Sequence, residues 1–196
     1  MSKPRSFLAQ SFYHIISRGN NRQNIFLTKR DNIRYLKCLE KYAEKFNISI
    51  ITYCLMPNHV HLLIKIGALL TIPEFMQALN TAYTKYFNAR HSASGHLFEG
   101  PYKHVLIETD EYLVHLSRYI HLNPTSSGLV KTPENYEWSS YRHFLNLEKS
   151  NFIEDSPVLT YFSSENPIDD YKEFVESRVD HQKEINFQKF LLSKAK

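Results

Sequence analysis

The chain has 196 residues, of which 42% are hydrophobic, 14% aromatic and 22% charged. That is enough apolar material for one good-sized domain with its own core, and it excludes a disordered or fibrous chain. No apolar run reaches the length of a membrane span, and the only cysteines, Cys38 and Cys54, fall in a helical and a strand-like pattern. A soluble cytoplasmic protein with reduced, buried thiols is expected.

The net charge of +4 is uneven: residues 1–149 carry 18 Lys+Arg against 11 Asp+Glu, and residues 150–196 carry 6 against 9. A basic body rich in Tyr and Phe suits a nucleic-acid partner through phosphate neutralisation and base stacking. Many metabolic enzymes share that mild basicity, so the charge alone does not decide.

Met1 to Gln10 reads as an arm bearing Lys3 and Arg5, and Phe12 to Arg18 alternates well enough for a strand. Gly19-Asn20-Asn21-Arg22 has turn chemistry, because Gly and Asn tolerate left-handed backbone conformations. Thr28 is placed to cap a helix from about Lys29 to Phe46, with a stripe of Ile33, Leu36, Leu39 and Ala43 facing the core and Asn47 as its stop. Ile48 to Leu55 is β-branched and aromatic, hence a strand. Met56-Pro57-Asn58 then turns the chain, and His59 to Ile66 returns antiparallel. Thr71 and Pro73 introduce a second helix to about Arg90, and Lys103 to Glu108 is a further strand. Thr109 or Asp110 caps a third helix, about Glu111 to Asn123, which Pro124 cannot continue. Trp138 to Leu147 is a short helical or looped piece, and a helical tail starts near Pro167 with Asn166 as its cap.

The order β-α-β-β-α-β, followed by a helix, is that of a ferredoxin-like split βαβ unit. The expected fold is therefore α+β, with an antiparallel sheet, helices over one face and a C-terminal helical extension. The strand from His59 is then central, and the third helix can approach its open face.

Two stretches carry candidate chemistry. Alternation sends His59, His61, Leu63 and Lys65 to one face of their strand and Val60, Leu62, Ile64 and Ile66 to the other. Two same-facing imidazoles make a ready pair of metal ligands, or they are ordinary polar residues of a half-exposed strand. On the third helix Tyr119 and Asn123 share a stripe, with Tyr112 and His115 beside them, while Leu113, Leu116 and Ile120 form the apolar stripe that anchors it. Alternatively, Tyr119 is a boundary aromatic and Asn123 a helix cap.

Several separate motifs in order make a more specific pattern: Arg18-Gly19-Asn20-Asn21-Arg22, Met56-Pro57-Asn58-His59-Val60-His61, Gly95-His96-Leu97-Phe98, Arg118-Tyr119-Ile120-His121-Leu122-Asn123-Pro124 and Trp138-Ser139-Ser140-Tyr141-Arg142. Over most of residues 12–147 the chain resembles the HUH single-tyrosine transposases, and among them the REP-associated tyrosine transposases. That resemblance implies a metal-dependent endonuclease and transposase. It would cleave and rejoin single-stranded DNA at palindromic hairpin (REP-type) elements through a 5′-phosphotyrosine intermediate.

On the same resemblance His59 and His61 are metal ligands with Asn123 as the third, Tyr119 is the nucleophile, and the ion is Mg2+ or Mn2+. Arg5, Arg18, Arg22, Lys85, Arg90 and Lys103 are candidate DNA contacts, and His115, one turn before Tyr119, is a candidate accessory group. Residues 1–149 would form the transposase domain and residues 150–196 the extension, acting as a monomer or homodimer with no membrane partner. Two other readings stand beside this one. One is a hairpin-binding regulatory protein that does not cut; the other is a structural zinc protein using Cys54, His59 and His61.

Overall fold

The structure, a computed structural model, describes residues 7–67 and 72–179. Four strands, β1 (Phe12–Arg18), β2 (Ile48–Met56), β3 (His59–Ile66) and β4 (Lys103–Ile107), form one sheet in the order β2-β3-β1-β4. All three pairings are antiparallel. Helix α1 (Lys29–Lys45) joins β1 to β2, α2 (Ile72–His91) joins β3 to β4, and α3 (Asp110–Ser126) follows β4. This is the α+β topology expected from the order of elements.

Local chemistry explains the element ends. Thr28 and Asp31 form a reciprocal capping box at the start of α1. Asn47 takes a left-handed φ of 52° at its end. The Thr28 cap is therefore as expected, whereas Thr71, expected to introduce α2, lies outside the described residues.

Both faces of the two central strands are covered. Tyr13, Ile15, Val60, Leu62, Ile64 and Ile66 pack with Tyr35, Leu39, Phe75 and Leu79 of α1 and α2. On the other face Leu63 of β3, with Cys54 and Met56 of the edge strand β2, packs with Leu113, Leu116 and Ile120 of α3. Burying each of those three α3 side chains stabilises the docked helix by roughly 1.5–3 kcal/mol. The first two helices thus share one face, and α3 takes the face to which alternation assigned His59 and His61.

Four details differ from the sequence expectation, the first being Ile33 of α1, expected on the core-facing stripe but exposed. Helix α3 runs through Pro124 to Ser126. Proline removes one donor, but the last turn closes through the Ser127 amide on the Asn123 carbonyl, and the Thr125 and Ser126 hydroxyls both donate to the Leu122 carbonyl. Asn166 occupies the N-cap of α6 (Pro167–Glu176), yet its side chain makes no capping bond. Between them, α4 (Tyr141–Phe144) was anticipated and the single turn α5 (Ser156–Leu159) was not.

The described part of the C-terminal extension is tied to the rest of the chain. The Glu154 amide donates to the Ile50 carbonyl at 2.9 Å, and Val158, Tyr171 and Val175 are fully buried in the core beneath α3. No helix among the described residues is long and apolar enough to cross a membrane.

Candidate active site

The start of β3 is held by the segment that follows β1, which is held in turn by residues 97–99. The Gly19 amide donates to the Asn58 carbonyl at 2.8 Å, and the Ile25 amide to the Pro57 carbonyl at 2.7 Å. The Asn20 amide donates to the Leu97 carbonyl at 2.9 Å, and the Glu99 amide to the Arg18 carbonyl at 2.7 Å. Gly19 is needed here for space, since a Cβ would run into the Gln23 carbonyl oxygen. The left-handed residues of this turn are Asn21 and Arg22, so the glycine serves close approach and not, as its turn chemistry suggested, a positive φ.

His59 and His61 lie on the same face with ring centroids 4.9 Å apart. His59 Nδ1 is 2.6 Å from Asn58 Oδ1. The Asn58 amide nitrogen donates to the Arg22 carbonyl, which turns its oxygen towards the ring. An oxygen can only accept, so His59 carries its proton on Nδ1 and its Nε2 is a bare lone pair. His61 Nδ1 is 2.9 Å from Nε2 of His14, a β1 residue that sequence reading did not single out. The Nε2 atoms of His59 and His61 are both buried without a hydrogen-bond partner.

Helix α3 brings Tyr119 onto this pair, its ring edge-on to His61 at 5.7 Å and to His14 at 6.5 Å. One turn on, the buried Asn123 carboxamide hydrogen-bonds the Tyr119 hydroxyl. The four residues expected to form the site therefore share one covered space between β3 and α3.

Burial dominates the electrostatics. It pushes His59 down to about 4, helped by the Arg18 guanidinium, and His14 down to about 3. His61 falls well below the ordinary histidine value, first through burial and then through His59, His14 and Arg18. All three imidazoles are neutral at pH 7. Burial pushes Tyr119 up, against the hydrogen bond from Asn123 and the charge of Arg18, both of which favour the phenolate.

The cationic candidates divide into groups. Arg18 pairs with His59 across the β1–β3 ladder, Arg22 is exposed in the turn bonded to Asn58, and Lys103 pairs with Ile16 at the sheet edge on the site's face. Lys85 and Arg90 are on α2, in the layer over the opposite face, where Arg90 lies 3.7 Å from the buried Asp31 carboxylate. Arg5 lies outside the described residues. His115 accepts a hydrogen bond from Arg118 Nη2 at 2.8 Å and packs on Phe174 of α6 at 5.5 Å, which engages it with the extension.

A divalent ion fits the remaining groups: two imidazole nitrogens with no other partner, and a carboxamide oxygen from Asn123. The zinc alternative through Cys54 does not fit. Among the described residues no group of three His, Cys, Asp or Glu side chains could hold a metal, and Cys54 is a buried thiol of the core beneath α3.

Comparison with known proteins agrees with this architecture. The model of the family described as IS200-like transposases matches residues 8–123. A solved REP-associated tyrosine transposase bound to a REP hairpin aligns with a TM-score of 0.62 at 15% identity, covering 79% of this chain and 98% of that one. At that identity the likeness is one of fold. A proposed transposase from Deinococcus radiodurans R1 aligns with a TM-score of 0.44 at 21% identity, over 61% of this chain and 95% of that one. None of the curated proteins matches the sequence.

Proposed function

The chain belongs to the IS200-like transposases, and from that premise we propose that it is a metal-dependent single-stranded DNA endonuclease and transposase of the HUH type. Its substrate is a palindromic hairpin of the REP class, as in the structural neighbour bound to such a hairpin. One observation carries the reading: Tyr119, bonded to Asn123, rests edge-on against His61 on the face that holds the two partnerless imidazole nitrogens.

In this reaction the Tyr119 oxygen attacks the scissile phosphorus, forming an Oη–P bond as the bond from phosphorus to the 3′ oxygen breaks. The phenol proton leaves, the 3′ oxygen gains one, and the product is a 5′-phosphotyrosyl enzyme with a free 3′-OH. One phosphodiester is exchanged for another, so rejoining by the reverse attack needs no external energy source. His59 Nε2, His61 Nε2 and the Asn123 oxygen would hold Mg2+ or Mn2+. When bound, that ion supplies positive charge to a non-bridging phosphate oxygen and orients it.

The chain's own groups do the rest. Asn123 donates to the phenolic oxygen and, with Arg18, opposes the rise that burial imposes on Tyr119. An ordinary tyrosine, with a pKa near ~10, is almost wholly protonated at neutral pH, so both contributions act in the direction the attack requires. Arg18, Arg22 and Lys103 surround the same face and suit a DNA backbone.

The test is a labelled single-stranded hairpin incubated with the full chain and Mn2+ or Mg2+, resolved on a denaturing gel. A covalent DNA–protein band that Tyr119→Phe abolishes is the expected result. Tight hairpin binding with no adduct in either metal would replace this reading with that of a non-cutting regulatory protein.

A further inference from the structure

The two proposed ligand histidines are supported differently. The Asn58 oxygen leaves His59 no choice of tautomer, but the atom facing His61 Nδ1 is another imidazole nitrogen. His14 pairs with Leu63 across the β1–β3 ladder, which places it diagonally beside His61 on the same sheet face. The two rings stack at 5.1 Å with 18° between their planes, and His14 is completely buried.

A bond between two neutral imidazoles has one proton to place. If His14 Nε2 holds it, His61 must keep its own proton on Nε2, the atom that faces the site. If His61 Nδ1 holds it, His61 Nε2 is bare and the single ring proton of His14 sits on its Nδ1. Each arrangement leaves one buried N–H without a partner: His61 Nε2–H in the first case, His14 Nδ1–H in the second. The bond at 2.9 Å suits both, so a small bias selects between them.

Resting on the metal reading of the previous section, we infer that His14 is a positioning residue for the metal site. It accepts the hydrogen bond from His61 Nδ1–H, fixes the His61 ring, and leaves His61 Nε2 as a lone pair for the ion. The acceptor that Asn58 provides to His59 is, for His61, a histidine. Loading the site fixes both tautomers together: His61 carries its proton on Nδ1, and His14, whose Nε2 accepts that hydrogen bond, carries its own on Nδ1.

Two substitutions separate this role from packing. His14→Phe keeps an aromatic ring in the stack and removes the acceptor, whereas His14→Gln can restore an acceptor through its side-chain oxygen. Mn2+ affinity is measured on the full chain by electron paramagnetic resonance, with thermal melting recorded in parallel. His14→Phe is expected to bind Mn2+ about 10–100-fold more weakly, and His14→Gln to recover most of that loss at a similar melting temperature. In 15N-histidine NMR of the unaltered chain, Zn2+ serving as a diamagnetic probe should give a His61 signal protonated at Nδ1 and a His14 signal protonated at Nδ1.

Equal Mn2+ affinity in His14→Phe and the unaltered chain would overturn the inference. So would a Zn2+-loaded His61 that carries its proton on Nε2, a readout that stands even if His14→Phe fails to fold. Mn2+ binding unaffected by His59→Ala and His61→Ala would instead remove the metal reading itself, and this inference with it.

Discussion

Replacing Tyr171 by Phe should destabilise the whole protein through one buried hydrogen-bond chain that joins the C-terminal extension to the helix carrying Tyr119. The proton directions in that chain can be worked out. The Tyr53 amide donates to Ser140 Oγ at 2.9 Å, and Ser140 Oγ lies 2.8 Å from His121 Nε2. His121 Nδ1 lies 2.7 Å from the Tyr171 hydroxyl, which donates to Ser117 Oγ at 3.0 Å; Ser117 donates to the Val114 carbonyl at 2.8 Å. With the Tyr171 hydroxyl donated to Ser117, Nδ1–H donates to Tyr171 and Nε2 accepts from Ser140, whose hydroxyl lies closer to Nε2 than to its other acceptor, the Tyr53 carbonyl at 3.3 Å.

Tyr171→Phe leaves the His121 Nδ1–H buried without an acceptor, at a cost of about 1–3 kcal/mol. For a chain of this size that is a fall in melting temperature of roughly 2–4 °C per kcal/mol. Calorimetry or urea titration reads the change. The double variant His121→Phe/Tyr171→Phe removes both partners, so its loss should be smaller than the sum of the single losses by about 1 kcal/mol or more. A Tyr171→Phe protein within ~0.5 kcal/mol of the unaltered chain, or strict additivity in the double variant, would refute the directed chain.

Further expectations concern other parts of the fold. Burial raises the Asp31 carboxyl, but hydrogen bonds from His91, the Thr28 and Leu27 amides and the Thr28 hydroxyl outweigh it and hold the group below its ordinary value. The unfolded chain therefore takes up that proton first as pH falls. The stability Asp31 contributes is complete above the ordinary carboxylate range near ~4 and is lost as pH drops through the lower folded value. Asp31→Asn should cost about 3 kcal/mol at pH 7, and its difference from the unaltered chain should shrink in acid-denaturation curves below that range. Gly19→Ala should displace the Gln23 carbonyl and the turn behind His59, read as lower thermal stability together with weaker Mn2+ binding. Arg18→Ala should weaken hairpin binding across sequences and reduce the slope of log affinity against log salt by ~0.7, measured by fluorescence anisotropy.

Much of this was legible from local pattern. Strand alternation put His59 and His61 on one face, and helical spacing put Tyr119 and Asn123 on one stripe; both periodicities are properties of a single segment. His14 was not legible, because its role depends on the register of β1 against β3, which neither strand specifies alone. His121 stood inside a recognised motif with no evident task, since its partner Tyr171 is 50 residues away. Trp138-Ser139-Ser140 proves to be a sheet-edge clasp: the Leu55 amide donates to the Trp138 carbonyl and the Ser140 amide to the Tyr53 carbonyl, with Ser140 then reaching His121. Pro124 misled because it stands in the last turn of α3, where its missing N–H forfeits only the bond to the Ile120 carbonyl and the helix needs to run just two residues further.

The double cover on the sheet explains an imbalance in the site. An antiparallel sheet with one open face would leave His59 and His61 in water near their ordinary value, whereas α3 dries that face and keeps both imidazoles neutral. The same dryness works against the proposed nucleophile, because it favours the protonated phenol of Tyr119. Burial thus prepares the proposed ligands and opposes the proposed attack. Arg18 is where the two demands are reconciled. From its place opposite His59 its charge disfavours imidazolium at His59 and His61 and favours phenolate at Tyr119. A neutral residue there would lose both effects at once, and with them a cation suited to the phosphate on which the ligands and the nucleophile converge in the proposed reaction.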